Sequence, residues 1–347
     1  MAHLSRLSFS PNNFQNLSLS KHPFPTAKPY ILANENEKGP NMNKLVVLGS
    51  VNADHVLQVA SFPRPGETLH GHSYCVIPGG KGANQAVAAA RLGADIAFIA
   101  CVGDDSFGHE MREAFAKDGM NTDGVMIEKD MPTGIAMIQV AATGENSIAI
   151  SAEANGCLSP ARIEPHHNLI KQADTLLMQL ETPMATIEAA AKVAKQAGTR
   201  VVLNPAPAQP LSDDLLQHID MITPNETEAE LLTGIKVTDT TSAQKAADAL
   251  HEKGIKQVMI TLGSQGVWVS ENGQGRQVPG FRVDAKDTTA AGDTFNGALL
   301  TGLQENKAMD DAIRFAHASA AISVTRMGAQ TSIPHRREVE RFLIEHQ

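Results

Sequence analysis

The 347-residue sequence predicts an α/β fold of three layers, helix, sheet and helix, with a mostly parallel central sheet and a small separate β-sheet lid. Two observations carry that prediction. Short apolar runs alternate with helical patterns along most of the chain, as expected of a parallel sheet covered on both faces. Two segments, 55–78 and 133–151, break the alternation and read as hairpins that leave the main sheet and are similar enough in character to pair with each other.

In chain order, residues 1–43 carry four basic and two acidic residues and hold no persistent apolar period. They are expected to be a disordered or dispensable extension. Their acid-free, Ser-rich start also has the composition of a targeting segment, though Arg is scarce. The folded domain is expected over residues 44–347. Residues 44–50 (KLVVLGS) read as a buried strand. Residues 83–92 are Ala-rich and stop at Gly93, a helix with a glycine end signal. A strand at 96–102 and a helix at 106–117 follow. Beyond the second hairpin the pattern gives strands at 175–180, 201–203, 221–223, 258–262 and 266–270. Helices are expected at 184–196, 226–232, 242–253, 292–303 and 309–326. In such sheets ligands bind beyond the carboxyl ends of the strands.

Composition excludes several classes. The net charge of −9 gives no basic footprint for nucleic acid or an anionic membrane. Aromatic residues make up only 4% of the chain, too few to suggest a base-stacking surface. No stretch approaches the roughly 18 apolar residues of a membrane helix. Cys75, Cys101 and Cys157 are far apart, form neither a disulfide framework nor a metal knuckle, and suit a reducing, cytoplasmic setting.

Two familiar phosphate devices are missing. The only Gly-Lys pair, Gly80-Lys81, is followed by Gly82 rather than by the Ser or Thr of GxxxxGK[ST], and no GxGxxG follows the first strand, which also disfavours an NAD-dependent oxidoreductase. Instead, residues 287–295 (DTTAAGDTF) lead small residues into a helix whose bare N–H groups would face an anion. Asp293 in its first turn either complements the helix dipole or takes a proton from an attacking hydroxyl. Residues 78–85 (PGGKGANQ) are either a glycine turn with a helix cap or a polyol site built on Lys81 and Asn84. Asn52 and Asp54, just beyond the first strand, are either turn formers or hydroxyl acceptors. Asn225 and Glu228 could hold a metal-bound phosphate with its waters. Residues 261–266 (TLGSQG) could border a purine, and Asp287 with Ser332 offers oxygens to a small cation. Each of these last three is by itself more often a turn than a site.

Residues 49–54 (GSVNAD), 62–68 (FPRPGET), 79–84 (GGKGAN) and 290–293 (AAGD) together resemble the two signatures of the PfkB carbohydrate kinase family, in order and from Lys44 onward. The resemblance implies phosphorylation of D-ribose by ATP at the primary hydroxyl, a β-sheet lid, and a homodimer in which the lids clasp. It implies that Asp293 is the catalytic base and that Ala290, Ala291 and Gly292 form an anion hole. The implied sugar contacts are Asn52, Ala53, Asp54, Gly80, Lys81, Gly82, Ala83, Asn84 and Glu181, with Asp293. The implied nucleotide contacts are Asn225, Thr261, Leu262, Gly263, Ser264, Gln265, Gly266, Gly292, Asp293 and His317. Glu228 would lie near Mg²⁺. Asp287, Thr289, Ser323, Arg326, Gly328 and Ser332 would surround an activating K⁺, several through backbone carbonyls. The anion run reads Thr-Ala-Ala-Gly-Asp, where many relatives have Gly-Ala-Gly-Asp. The alternatives are a family kinase for fructose, 2-keto-3-deoxygluconate or adenosine, and a non-catalytic sugar sensor on the same scaffold. The Asn52/Asp54 pair favours ribose, and a sensor need not keep a base.

Overall fold

Alternate residues of the first strand decide how the central sheet is covered. In the computed structural model, which describes residues 44–347, β1 (Leu45–Leu48) sends Leu45 and Val47 into one buried cluster and Val46 and Leu48 into another. That is the two-residue period of a strand buried on both faces. The expectation for residues 1–43 lies outside the described residues.

The other strands are β2 (Asn52–Val59), β3 (Ser73–Gly79), β4 (Ile96–Gly103), β5 (Asn121–Glu128), β6 (Gly134–Ala141) and β7 (Asn146–Ser151), then β8 (Thr175–Met178), β9 (Arg200–Leu203), β10 (Met221–Ile222), β11 (Gln257–Thr261), β12 (Val267–Glu271) and β13 (Gln274–Val278). Nine of the strands form one sheet in the order β13-β12-β11-β10-β9-β8-β1-β4-β5. Neighbours from β11 to β5 are parallel, while β12 and β13 add an antiparallel edge.

The helices are α1 (Lys81–Arg91), α2 (Ser106–Lys117), α3 (Pro160–Ile163), α4 (His167–Gln172), α5 (Met184–Ala197) and α6 (Asp213–Leu216), then α7 (Glu226–Thr233), α8 (Thr240–Glu252), α9 (Ala291–Gln304), α10 (Met309–Val324) and α11 (Arg336–Glu345). Apolar residues of α1, α2, α9, α10 and α11 cover the Leu45/Val47 face. Those of α3 to α8 cover the opposite face. The expected three layers are present.

The two segments that broke the alternation do pair. β2 runs parallel to β6, and β3 and β7 flank them antiparallel, giving a four-stranded sheet β3-β2-β6-β7. The strand starts earlier than the sequence suggests, so Asn52 and Asp54 lie within β2 rather than in a turn. The register puts Tyr74, Val76 and Met137 on the face away from Asp54, where they are 59%, 41% and 56% exposed. Strands β5 (NTDGVMIE) and β13 (QGRQV), and the helices α3, α4 and α11, carry no long apolar run, and the alternation of the sequence does not mark them. The strand expected at 266–270 exists as β12, but it turns back antiparallel to β11.

Helices α1 and α9 meet on bare backbone. A Cβ at Gly297 of α9 would stand 2.5 Å from the Gln85 carbonyl oxygen and 2.7 Å from the Ala88 Cβ of α1. The alanines of α1 and this glycine together let the two helix axes approach closely. Gly297→Val should therefore lower stability by roughly 1–3 kcal/mol through overpacking. Denaturant unfolding that matches the wild type would contradict the tight crossing.

Candidate active site

Most side chains of the candidate site stand at or just past the carboxyl end of a strand, or in the first turn of a helix, while Asn52 and Asp54 open β2 and His317 lies within α10. After β1 the chain turns at Gly49 and Ser50. The Ser50 carbonyl accepts from the Ala83 amide at 2.9 Å, which docks the start of α1 against the end of β1. Gly80 precedes α1 with φ 89°, and a Cβ there would fall 2.8 Å from the Asn52 nitrogen and 2.9 Å from the Ser50 oxygen. Only glycine satisfies both the left-handed backbone and the contact. Glu181, beyond β8, accepts through Oε2 from the Ser50 hydroxyl at 2.5 Å and from the Lys81 amide at 2.9 Å. Its carboxylate thus caps the positive end of α1. Asn155, buried after β7, accepts from the Val51 amide at 2.8 Å and donates to the Val51 carbonyl at 3.0 Å and to Asn52 Oδ1 at 2.8 Å. It pins the first residues of β2.

Helix α9 begins at Ala291. Ala290 is its N-cap with φ 59°, a left-handed backbone that costs a residue with a Cβ roughly 1–2 kcal/mol. The position where many relatives have glycine is therefore one where glycine is sterically preferred, and this chain holds alanine there. The Ala291 amide bonds back to the Thr288 carbonyl at 3.2 Å, so the first-turn amides free for an anion are those of Gly292 and Asp293. Asp293 is buried. Its Oδ2 accepts from Asn84 Nδ2 at 3.0 Å and its Oδ1 from Gln85 Nε2 at 2.9 Å.

Behind this pair lies a polar row that the sequence does not announce. Gln85 Nε2 also donates to Asn204 Oδ1 at 2.9 Å, and Gln85 Oε1 accepts from Gln179 Nε2 at 2.7 Å. Asn204 Nδ2 donates to the Thr223 carbonyl at 3.0 Å, the Thr223 hydroxyl to Asn296 Oδ1 at 2.7 Å, and Asn296 Nδ2 to the Gly292 carbonyl at 2.9 Å. Gln179, Asn204 and Thr223 each follow directly on the last residue of β8, β9 and β10. A polar residue capping each buried apolar run is the signal that could have found them.

The charges are crowded. Burial opposes the charge on Lys81, but Asp293, Glu181, Glu228 and Asp54 outweigh it and hold the ammonium above its ordinary range. Asp54 is pushed up to about 7, first by burial and then by Glu181 and Asp293, with Lys81 opposing. Burial also raises Glu228, against the Asn225 amide and Lys81. Asn84 Oδ1 is buried with no partner among the described residues, an acceptor aimed into this cluster. The structure thus gathers Asn52, Asp54, Gly80, Lys81, Asn84, Glu181 and Asp293, with Glu228 inside their field. Ala53 lies in β2, and Gly82 and Ala83 form the first turn of α1 as backbone rather than as side-chain donors.

The other expected residues fall into two groups. Asn225 and Glu228 cap α7 reciprocally, with both bonds at 2.8 Å, which commits one oxygen of each. Asn225 also bridges to Thr261 at the end of β11, and residues 262–266 turn from there into β12. His317 in α10 lies 5.3 Å from the Phe295 ring. Burial drives its pKa down to about 4, against a hydrogen bond with the Pro279 backbone, so it is neutral. In the second group, Asp287 accepts from Thr289 and from the Gly328 amide, tying residues 287–289 to 328. Those bonds outweigh burial and hold its carboxyl below the usual range. Arg326 donates to Glu338 at 2.5 Å, and the hydroxyls of Ser323 and Ser332 donate to the Ala320 and Ala329 carbonyls. The carbonyl oxygens of Asp287, Thr289, Arg326 and Gly328 accept no hydrogen bond from the described residues. Among those residues no three His, Cys, Asp or Glu side chains gather to hold a metal, and no helix is long and apolar enough to cross a membrane.

A buried carboxylate beside bare amides at a helix mouth, with further carboxylates, amides and one ammonium around it, is an arrangement able to take a proton from an alcohol and to hold an anion. The chain matches the model of the pfkB family carbohydrate kinases over residues 42–336, and it belongs to that family. It is 58% identical over 302 residues to a ribokinase of Haemophilus influenzae, covering 87% of this chain and 98% of the relative. A crystal structure of a Thermotoga maritima ribokinase superposes with a TM-score of 0.80 at 41% identity, over 87% of this chain and 99% of that one. An Arabidopsis thaliana ribokinase complexed with ribose and ATP superposes with a TM-score of 0.82 at 34% identity, over 87% of this chain and 98% of that one. The family and the ribokinase-like fold read from the sequence are borne out.

A raised carboxyl binds its proton more tightly in the folded chain than in the unfolded one, so Asp54 weakens folding as pH climbs from about 4 through about 7. Without ligands, Asp54→Asn should be more stable than wild type at pH 8, by on the order of 2–4 kcal/mol, and the two should converge near pH 4. Parallel stability curves would show that Asp54 is not strained in this way.

Proposed function

We propose that the chain transfers the γ-phosphoryl group of ATP to the primary (5-) hydroxyl of D-ribose, with Asp293 as general base. One observation carries this reading: both oxygens of a buried carboxylate are oriented by Asn84 and Gln85 beside the free amides of Gly292 and Asp293. A relative 58% identical to this chain is a ribokinase, and a ribokinase 34% identical to it was crystallised with ribose and ATP.

In the proposed reaction Asn52, Asp54, Gly80, Lys81, Asn84 and Glu181 hold the sugar hydroxyls, and the partnerless Asn84 Oδ1 accepts from one of them. Asp293 takes the proton of the terminal hydroxyl as its oxygen attacks the γ-phosphorus in line, and ADP leaves. The amides at the mouth of α9 stabilise charge on the transferred group. Asn225, residues 261–266 and His317 border the nucleotide. The small sheet carrying Asp54 acts as the lid that keeps water from competing with the sugar. Glu228 fits a Mg²⁺ that arrives with ATP, since one carboxylate and few protein ligands suit an ion that keeps most of its waters. That ion would neutralise charge on the phosphate oxygens. The free carbonyls of Asp287, Thr289, Arg326 and Gly328 fit a monovalent cation such as K⁺. Ordering residues 287–289 would in turn order the Gly292 and Asp293 amides just beyond them. The compartment that suits three free thiols is the cytoplasm.

Other family substrates are compatible with a polyol cluster, but Asn52 and Asp54 side by side in β2 favour ribose. A sensor would have no use for the carboxylate held at the helix mouth. Coupled ADP-release assays across ribose, fructose, 2-keto-3-deoxygluconate and adenosine should give the highest kcat/KM for ribose, faster in K⁺ than in Na⁺. In the same assay Asp293→Ala should lose roughly 10²–10⁴-fold in turnover. A variant within about threefold of wild type would remove Asp293 from the role.

The exposed apolar face of the lid, with Tyr74, Val76 and Met137, fits a second copy of the chain, so that the lids clasp in a homodimer. Sedimentation should give a dimer, and Met137→Asp should give a monomer. A wild-type monomer at micromolar concentration would refute the clasp.

A further inference from the structure

The row of amides behind Asp293 points to a residue that acts on the reaction through the base. We propose that Gln85 is a positioning residue: it fixes the plane of the Asp293 carboxylate and thereby its aim at the attacking hydroxyl. The inference rests on the reading of Asp293 as general base.

Gln85 is fully buried in α1. Its two N–H groups and its carbonyl are all committed. One nitrogen donates to Asp293 Oδ1 and to Asn204 Oδ1, each at 2.9 Å, and the oxygen accepts from Gln179 at 2.7 Å. A flipped amide would set Oε1 against two oxygens and the NH₂ group against another NH₂ group, so one orientation is allowed. One partner is held by a further bond and the other by contact, its Oε1 being buried without a hydrogen-bond partner among the described residues. Asn204 is anchored on the Thr223 carbonyl beyond β10. Gln179 lies where a Cβ on Gly49 would stand 2.1 Å from its Oε1, so the first glycine of the 49–54 motif makes room for it. The ends of β8 and β9 thus reach Asp293 through one side chain.

Asn84 holds the other carboxylate oxygen but plays a different part. Its own Oδ1 is buried and partnerless, so it has an unfilled valence that a ligand can draw on. Gln85 has none, and its place in the network is the same with or without substrate. Base and hydroxyl must meet within hydrogen-bond reach, and a shift of about 1 Å costs on the order of 100-fold in rate.

The test is steady-state kinetics from pH 6 to 8.5 on Gln85→Leu, Gln179→Leu and Gln85→Glu, with Asp293→Asn as reference. Gln85→Leu should lower kcat by roughly 10- to 100-fold while both KM values stay within about threefold. Gln179→Leu, which frees the Gln85 amide to turn, should move kcat in the same direction with less effect. Gln85→Glu can donate to Asp293 only while protonated and repels it when ionised. Its kcat relative to wild type should therefore rise at least about fivefold as pH falls across the range. The charged groups facing this point act on the new carboxyl of Gln85→Glu: Asp54 on β2, Glu181 beyond β8 and Glu228 on α7 oppose its ionisation and Lys81 on α1 favours it, so the rise in the ratio is spread over the range rather than confined to one step. A Gln85→Glu ratio that is flat with pH overturns the proposal, as does a Gln85→Leu kcat within twofold of wild type. Should Gln85→Leu fail to fold, the Gln85→Glu ratio decides. An active Asp293→Asn would instead sink the base reading itself, whereas an inactive one with a flat Gln85→Glu ratio sinks only Gln85.

Discussion

The crossing of α1 and α9 is the constraint on which the site depends. An ionised carboxylate buried in a protein costs several kcal/mol unless hydrogen bonds and counter-charge replace its water. Asp293 obtains them only because α1 comes close enough for Asn84 and Gln85 to reach both oxygens. Gly297 and the alanines facing it permit that approach. Two motifs whose contacting residues lie 208 and 209 positions apart in the chain, one reading as a glycine turn and the other as a helix start, are two halves of one interaction.

The same closeness makes the pocket electrostatically unfavourable when empty of ligands. Asp54, Glu181, Glu228 and Asp293 act together on the single ammonium of Lys81. Asp54 responds by holding its proton up to about pH 7. A folded chain tolerates such a cluster where the groups have a use, and perturbed carboxyls in a cleft are the usual mark of that use. A polyol brings several hydroxyl donors to acceptors that otherwise oppose one another. β2, which carries Asp54, begins only a short turn after β1 ends, so the small sheet leaves the central one at the site itself.

The layered fold was legible because buried parallel strands leave apolar runs, as at 44–50 and 96–102. Strands β5 and β13 have polar ends or a polar edge position and leave none. The glycine and small-residue motifs were legible because they have a steric meaning at the level of sequence; Gly80 indeed needs its left-handed backbone. Gln85, Gln179, Asn204, Thr223, Asn296 and Asn155 were not. Each is one polar residue whose role depends on which strand ends lie side by side, and Gln85 is 94 residues from Gln179 and 208 from Asp293. The Asn225–Glu228 pair stood out in the sequence, but not as a reciprocal helix cap that already uses one oxygen of each. Ala290 was visible as a departure from the family's pattern, yet only the backbone reveals that it falls at a left-handed residue.

The central claim is geometric: the carboxylate at the mouth of α9 faces the alcohol that receives the phosphoryl group. A crystal structure with D-ribose and a non-hydrolysable ATP analogue tests it most directly. The account predicts an Asp293 oxygen at about 2.6–3.2 Å from the terminal hydroxyl oxygen of the sugar, with the γ-phosphate on the Gly292 and Asp293 amides. A sugar whose terminal hydroxyl is held by another group, with Asp293 turned away from it, would contradict it.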